Sequence, residues 1–242
     1  MIYTILCDAY GRDISVNKRD CCAKLQPLPS FTEEINEYID KAKNQQTKDE
    51  RLCAYTVLFA SVNQLFGVKI PKIGRTYSGK PYIDGFADKI FFNISHSDGL
   101  VAVSISDEGE IGVDIQSEVA PDRQERLENR FIPNLKLPGK STDTDTLDSN
   151  FTTDVTKSRK INYFLCEIHN DSLEFLEIQP EDAKNEDFST KWSYAESLIK
   201  LSGGGFADIS SVDKISDNSR VELKELSINK KRIFLATAIK NK

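Results

Sequence analysis

In the first third of the chain, apolar residues are spaced as in a helix. They recur every three or four positions over 31–44 and again over 47–66, which predicts two amphipathic helices. The apolar stripe of the second helix is wide, as in a helix buried in a core. Ser30 and Thr47 are each followed three residues later by Glu, the capping-box pattern of a helix start, and Gly67 is typical of a helix end.

Other segments of the first half show the two-residue period of β-strands. Residues 2–7 and 90–95 are strand candidates. Apolar residues alternate over 101–105 and over 111–115 on either side of an acidic turn, which predicts a β-hairpin. Asp114 faces away from its apolar neighbours in the second of these strands. A carboxylate in such a strand needs a partner or an ion.

The C-terminal half combines both periods. A short helix is predicted over 123–131 and a longer one over 191–201, where a run of glycines follows. Alternating apolar residues predict hairpins over 161–178 and 221–239. The stretch 138–160 is rich in Ser, Thr and Asp and predicts a flexible loop. The whole pattern predicts an α+β fold.

The composition is that of a globular protein. Of 242 residues, 39% are apolar and 29% are charged, and no run approaches the roughly 20 apolar residues of a transmembrane helix. The first residues contain no basic segment, so we expect no signal peptide and no membrane association. Five scattered cysteines without a CxxC pair and two histidines argue against a zinc site or a disulfide framework. We therefore expect a cytoplasmic protein.

The charge excludes one class of partner and is unevenly distributed. A net charge of −6 argues against broad nucleic-acid binding, which needs a basic face. Residues 161–190 contain one lysine and eight acidic residues, whereas residues 191–242 contain ten basic and six acidic ones. On charge alone, solvated faces explain this unevenness.

Two strand segments have candidate binding chemistry. Ser95 and Ser97 flank His96 after an apolar strand, and these donors suit a phosphate, although an ordinary polar strand end is the simpler interpretation. Asp114 and Gln116 share one face of a strand. Carboxylate and amide oxygens are ligands of hard cations, and the alternative is an edge strand with a solvated face.

Four further charged or turn residues have both a functional and an ordinary interpretation. Glu196 and Lys200 lie four residues apart on a predicted helix, so a surface ion pair is the simplest interpretation. In the functional interpretation, Glu196 binds a cation and Lys200 binds phosphate. Lys80 lies in a Gly-Lys-Pro turn, and Arg51 lies near the start of the second helix; both are ordinarily solvated surface charges.

Taken together and in order, these segments resemble a known enzyme family. The chain contains GKP at 79–81, NISHS at 93–97, GVDIQ at 112–116 and WSYAESLIK at 192–200. This combination is similar to the surfactin-synthetase-activating class of 4′-phosphopantetheinyl transferases. The pattern of that class is a GKP turn, an (F/N)-x-S-H-S segment, a G-(I/V)-D-(I/V)-E strand and a W-(S/T)-x-K-E-(S/A)-x-x-K helix. The resemblance covers residues 50–205 or thereabouts.

The resemblance implies a fold and an activity. Members of the class fold as two similar α+β halves with antiparallel sheets, related by a pseudo-twofold axis, and a monomer is expected. The halves here would be residues 1–107 and 108–242, with an inserted loop and hairpin at 138–180. Such enzymes transfer the 4′-phosphopantetheine arm of coenzyme A to a serine of an apo acyl or peptidyl carrier protein and release adenosine 3′,5′-bisphosphate.

The resemblance also implies roles for individual residues. Asp114, Glu196 and Lys200 would be the catalytic residues, with Lys200 on the phosphates and Glu196 or a metal-bound water taking the serine proton. Asp114, Gln116 and Glu196 would bind Mg²⁺, or Mn²⁺ in its place. The residues implied to hold coenzyme A are Arg51, Lys80, Pro81, Ser95 and His96.

Three departures from the class pattern leave other functions open. Ala195 stands where the class has a lysine, Gln116 stands where it has a glutamate, and the Glu expected soon after Arg130 and Phe131 is absent. The acidic stretch 161–190 would repel an acidic carrier protein unless it faces away from the docking site. The first alternative is a degenerate homologue that binds coenzyme A with little or no transfer. The second is an interaction protein in which all these residues are structural.

Overall fold

The computed structural model describes residues 1–25, 28–131, 160–170, 172–184, 187–204 and 211–241. The strands, in chain order, are β1 (Ile2–Asp8), β2 (Ile14–Ser15), β3 (Asn17–Leu25), β4 (Ile73–Arg75), β5 (Pro81–Ile83), β6 (Phe91–Ser97), β7 (Leu100–Ser106), β8 (Ile111–Ser117), β9 (Ile161–Ile168), β10 (Leu173–Gln179), β11 (Glu181–Asp182), β12 (Ser219–Ile228) and β13 (Lys231–Lys240). The helices are α1 (Glu33–Asp40), α2 (Gln45–Phe66), α3 (Pro121–Phe131), α4 (Phe188–Ser202) and α5 (Val212–Ser216). The fold is α+β, as predicted.

Two large sheets organise the described residues. The six-stranded sheet has the order β3-β10-β9-β1-β7-β6, in which β1 and β9 are parallel and the other neighbours are antiparallel. The other large sheet is antiparallel, with the order β11-β12-β13-β8 and β2 paired to β12. A small ladder joins β4 to β5.

These sheets and the helices form four layers. Helices α1 and α2 cover the outer face of the six-stranded sheet, where Leu58 and Val103 share one buried apolar cluster. A second cluster, which includes Leu6 and Leu235, fills the space between the sheets. Helices α4 and α5 cover the outer face of the five-stranded sheet, where Leu198 is buried. Apolar residues at the predicted periods are thus divided among three interfaces.

The predicted helix starts are wrong, and α1 ends at Asp40, before the predicted residue 44, whereas the glycines predicted to end the two longer helices do so. The residue before α1 is Thr32, and its side chain makes no capping hydrogen bond. Helix α2 begins after Asn44, whose side-chain oxygen accepts from the Thr47 amide at 2.8 Å. Asparagine competes well for this position, so the start lies earlier than the Thr47 capping box suggests. Gly67 and Gly203 end α2 and α4 with φ of 71° and 75°.

The predicted hairpin over 101–115 is wrong. Strand β7 pairs with β1 and β6, whereas β8 pairs with β13 in the other sheet. The acidic turn therefore carries the chain from one sheet to the other. Its Asp107 and Glu108 form ion pairs with the Met1 ammonium group, which holds the start of β1 beside this crossing. A two-residue period identifies strands but not their partners.

The two later hairpins are confirmed. Strands β9 and β10 pair in antiparallel register, as do β12 and β13, where Asn229 and Lys230 form the turn with φ of 50° and 66°. Strands β9 and β10 belong to the six-stranded sheet with β1, while β2 belongs to the five-stranded sheet. Strands from 1–107 and 108–242 thus share both large sheets, and the division into halves stays a prediction.

Two further predictions concern the loop and the membrane. Residues 138–159 of the predicted flexible loop lie outside the described residues. Among the helices that are described, none combines the length and the apolar character needed to cross a membrane.

Candidate active site

The edge strands β6 and β8 of the two sheets are joined by side chains. The alternate residues of β6 lie on one face and accept from alternate backbone amides of β8. The bonds run from Val113 N to Asn93 Oδ1 (3.1 Å), from Ile115 N to Ser95 Oγ (3.1 Å) and from Ser117 N to Ser97 Oγ (3.4 Å). We call this row the β6–β8 seam. It explains Asn93, Ser95 and Ser97 of the NISHS segment, because each one accepts from an edge amide of β8 that has no strand partner on that side.

Helix α4 packs directly against the face of β8 that contains Gly112 and Asp114. A methyl group on Gly112 would overlap the carbonyl oxygen of Ser197 and the backbone of Leu201. Only glycine permits this close approach. Because Asp114 lies two residues further along β8, on the same face as Gly112, the close packing brings it to the surface of α4.

Asp114 is the centre of the site and is 1% exposed. Its Oδ1 accepts from Lys200 Nζ at 2.7 Å and from Ser95 Oγ at 2.9 Å, and its Oδ2 accepts from Ser193 Oγ at 3.0 Å. Burial alone would raise the pKa of Asp114, but the Lys200 charge and these hydrogen bonds outweigh it and lower the pKa. Asp114 is therefore an ionised carboxylate inside the protein.

Glu196 has the opposite titration behaviour. Its side chain is 19% exposed and lies on α4 beside Asp114. Burial and then the charge of Asp114 raise the pKa of Glu196 to about 8, although Lys200, at 3.7 Å, opposes the shift. At neutral pH Glu196 therefore keeps its proton beside the ionised Asp114, so the two carboxyl groups together hold one proton.

The Asp114 cluster, defined as Ser95, Asp114, Ser193, Glu196 and Lys200, can perform two kinds of chemistry. Two carboxylates that share one proton form a proton acceptor poised near neutral pH. The same pair is a suitable donor set for a hard divalent cation, which would replace the shared proton and relieve the repulsion between the carboxylates.

Gln116, a predicted metal ligand, and Ala195, which stands where the class has a lysine, have different surroundings. Gln116 is buried on the same face of β8 as Asp114, and its Nε2 donates to the Ser117 carbonyl at 2.9 Å. Ala195 is fully buried in the apolar cluster of α4 and α5, so this position faces the core. Whether Gln116 contacts a metal stays a prediction.

Lys80 and Pro81 lie near the C-terminal end of α4. The Lys80 ammonium group donates to the Leu201 carbonyl at 2.9 Å and to the Glu110 carboxylate. A cation here satisfies the carbonyl end of the helix. Pro81 begins β5, and both residues line a 190 Å³ cavity together with Phe91 and Glu110.

His96 and Arg51 lie on the α2 side of the six-stranded sheet. His96 follows Ser95 on β6 and faces the opposite way, with its Nδ1 2.7 Å from a Glu50 oxygen on α2. Arg51 donates to the Tyr38 carbonyl at 2.6 Å and stacks over the Tyr38 ring at 4.1 Å. The structure therefore brings Ser95, but neither His96 nor Arg51, into contact with Asp114.

Sequence reasoning missed two residues of these clusters. Ser193 occupies the (S/T) position of the class helix pattern, one turn before Glu196, but the sequence predicts no role for it. The Thr47 spacing predicts Glu50 as part of a capping box, whereas it is a buried carboxylate that accepts two hydrogen bonds and lies 2.7 Å from His96 Nδ1. An acidic residue within a helix that is otherwise buried is a signal for such a role.

A separate group of possible ligands lies at the β9–β10 turn. Glu167, His169 and Glu174 place one ligand atom each within 4.8 Å of one another. Two of these side chains are half-buried and one is exposed. Exposed acidic groups are common without an ion, so we assign no function to this group.

Comparison with known proteins leaves the motifs as the sole basis of the family resemblance. The chain matches no family model and no curated protein. Any function is therefore argued from the Asp114 cluster and from the order of the motifs.

Proposed function

We propose that this protein is a 4′-phosphopantetheinyl transferase, a cytoplasmic monomer that modifies an apo acyl or peptidyl carrier protein. The observation that carries the proposal is the Asp114 cluster. Residues from two motifs more than 70 positions apart, GVDIQ and WSYAESLIK, meet in one buried site with complementary charges. A chance match of short motifs gives no reason for their reactive residues to meet.

The donor set supports Mg²⁺, or Mn²⁺, at this site. Asp114 and Glu196 would hold the ion, with the Gln116 amide on the same strand face as Asp114. The paired carboxylates fit such an ion because they now share a proton that a cation can replace. When bound, the ion would neutralise charge on the coenzyme A pyrophosphate as its bond breaks.

The chain's own residues would manage the proton and the phosphates. The carrier serine oxygen would form a bond to the phosphorus that bears pantetheine, and the bond from that phosphorus to the adenosine bisphosphate would break. Glu196, once deprotonated, would take the serine proton on a carboxylate oxygen. Lys200 would turn from Asp114 toward the phosphates, where its charge stabilises the leaving group.

The nucleotide would lie nearer to α2. Arg51, His96 and Lys80 are the basic residues that the resemblance implies for this end of coenzyme A. Lys80 would contact a phosphate only by releasing Glu110 or the end of α4. Ser95 is buried under Asp114, so it would support the metal ligand instead of touching the nucleotide.

One observation favours the alternative of a degenerate homologue that binds coenzyme A. Lys200 already forms an ion pair with Asp114, and the buried Ala195 provides no second lysine to replace it. A chain in which this ion pair never opens would bind coenzyme A and transfer nothing.

Intact-mass spectrometry of apo-carrier proteins tests the proposal. One fatty-acid carrier and one peptide-synthetase carrier are incubated with the protein, coenzyme A and Mg²⁺. We expect a mass gain of one phosphopantetheine that is lost with a chelator and in Glu196→Gln. Glu181→Gln, which removes an exposed carboxylate, is the matched control and should retain transfer. Coenzyme A binding without transfer to either carrier would favour the degenerate homologue.

A further inference from the structure

A second buried carboxylate, Glu50 of α2, has no part in the steps proposed above. Its side chain is 4% exposed. One oxygen accepts from the Gly99 amide at 2.8 Å and from Gln46 Nε2 at 3.0 Å. The other oxygen lies 2.7 Å from His96 Nδ1. Glu50 therefore connects α2 with β6 and with the turn that follows β6.

This contact determines which nitrogen of His96 can meet a ligand. A nitrogen and a carboxylate oxygen only 2.7 Å apart need a hydrogen between them, so we place a hydrogen on Nδ1, which leaves Nε2 for other partners. The His96 side chain is 42% exposed, although Glu50 is buried. Because Nδ1 faces the buried carboxylate, Nε2 on the other side of the ring is the nitrogen left for a ligand.

The chemistry of Nε2 then selects the ligand. Nδ1 already donates to Glu50, so Nε2 can donate a second hydrogen bond only when the ring is a cation. The other donors to Glu50, the Gly99 amide and Gln46, are neutral, so the negative charge of Glu50 stays available to balance that cation. An imidazolium with a fixed counter-charge behind it suits a phosphate in front of it.

We infer that Glu50 is a positioning residue that holds His96 with Nε2 available to the 3′-phosphate of coenzyme A, the group that the family resemblance implies for this histidine. This inference rests on the proposed function, which supplies coenzyme A as the ligand. It adds that selection for the 3′-phosphate depends on a carboxylate that never touches the nucleotide.

Calorimetry with coenzyme A and with dephospho-coenzyme A, which lacks the 3′-phosphate, tests the role on the full chain. We expect Glu50→Gln to weaken coenzyme A binding about 10-fold, the effect of losing a charged hydrogen-bond partner. Binding of dephospho-coenzyme A should change less than about twofold. Asp49→Asn is the matched control, because it removes the neighbouring carboxylate of α2, and it should affect neither ligand.

A double-mutant cycle shows whether Glu50 acts through His96. His96→Ala should cause a loss similar to that of Glu50→Gln, and the double variant should show no further loss. Additive losses, or equal weakening of both ligands in Glu50→Gln, would show that Glu50 only supports the fold, and they would overturn the inference.

Nitrogen NMR of the imidazoles tests the geometry without any ligand. The sequence has two histidines, so the spectrum of His169→Gln assigns His96. We expect a protonated Nδ1 in the unaltered protein, and an Nδ1 without hydrogen would overturn the inference even if Glu50→Gln does not fold. Selection for the 3′-phosphate through Glu50 without transfer to any carrier would refute the transferase and keep the inference. No binding of coenzyme A would refute both.

Discussion

Asp114 and Glu50 are both buried carboxylates, but the protein stabilises them in different ways. Asp114 has a lysine ammonium group and two hydroxyl donors, and a second carboxylate lies beside it. Glu50 has two neutral donors and one imidazole. Lys200 gives Asp114 a counter-charge in the unliganded protein, whereas the charge beside Glu50 depends on the protonation of His96. In the proposed mechanism Lys200 leaves Asp114 for the phosphates, whereas Glu50 stays beside His96 when the imidazole meets a ligand.

The largest expected difference between the two regions is in stability. Asp114→Ala leaves the Lys200 ammonium group without its nearest counter-charge and should lower the free energy of unfolding by about 3 kcal/mol. Glu50→Ala leaves neutral donors unpaired and should cost about 2 kcal/mol. Urea denaturation at neutral pH measures both. An equal or larger loss for Glu50→Ala would contradict the distinction between the regions.

The second prediction uses the pKa of Glu196. Because burial and Asp114 raise this pKa from 4.5 to about 8, the native state binds the proton more tightly than the unfolded chain does. The stabilisation is complete below the unfolded pKa and is lost as the pH rises through 8. Between these values the free energy of unfolding should fall by about 1 kcal/mol per pH unit relative to Glu196→Gln. Urea denaturation at several pH values in EDTA tests this, and parallel curves for the two proteins would refute it.

The third prediction concerns a hydroxyl that supports Asp114. Ser193→Ala removes the donor to Oδ2, which should cost about 1 kcal/mol of stability and lower transfer about 10-fold. Ser202→Ala is the matched control, because its exposed hydroxyl bonds a carbonyl at the end of the same helix. Unchanged transfer in Ser193→Ala would show that Ser95 and Lys200 alone orient the carboxylate.

The smallest expected effect is at the end of the β6–β8 seam. Ser97 accepts its bond at 3.4 Å in a partly buried position, so Ser97→Ala should cost less than about 0.5 kcal/mol. Asn93→Ala should cost more, since its bond is shorter and buried. Thermal denaturation of the two variants compares them, and a reversed order would contradict this account of the seam.

Local patterns in the sequence predicted where helices and strands lie better than they predicted which strands pair. Apolar periodicity located α2, α4 and most strands, and Gly67 and Gly203 end helices because they adopt positive φ. The partners of β7 and β8 could not be predicted, because sheet choice depends on long-range packing. The motifs predicted that Asp114, Glu196 and Lys200 act together, and the structure brings them into contact.

The sequence alone could not predict the hydroxyl groups that hold Asp114 or the burial of Glu50. The resemblance implies that Ser95 holds the nucleotide, whereas Ser95 donates to Asp114, and so does Ser193, for which the sequence predicts no role. Both hydroxyls have meaning only once β6, β8 and α4 are packed together. Glu50 fits a capping box by its spacing, and only its burial beside His96 reveals a different role.

The β6–β8 seam makes the association of the two sheets sensitive to single substitutions. A backbone ladder persists under most substitutions, because nearly every residue type supplies the same amide and carbonyl groups. The seam instead depends on the identities of three side chains, so single codon changes can weaken it one bond at a time. Since Ser95 belongs both to the seam and to the Asp114 cluster, a change there would loosen the sheets and alter the reactive site together. Natural selection that acts on the chemistry of Ser95 therefore also acts on the packing of the two sheets.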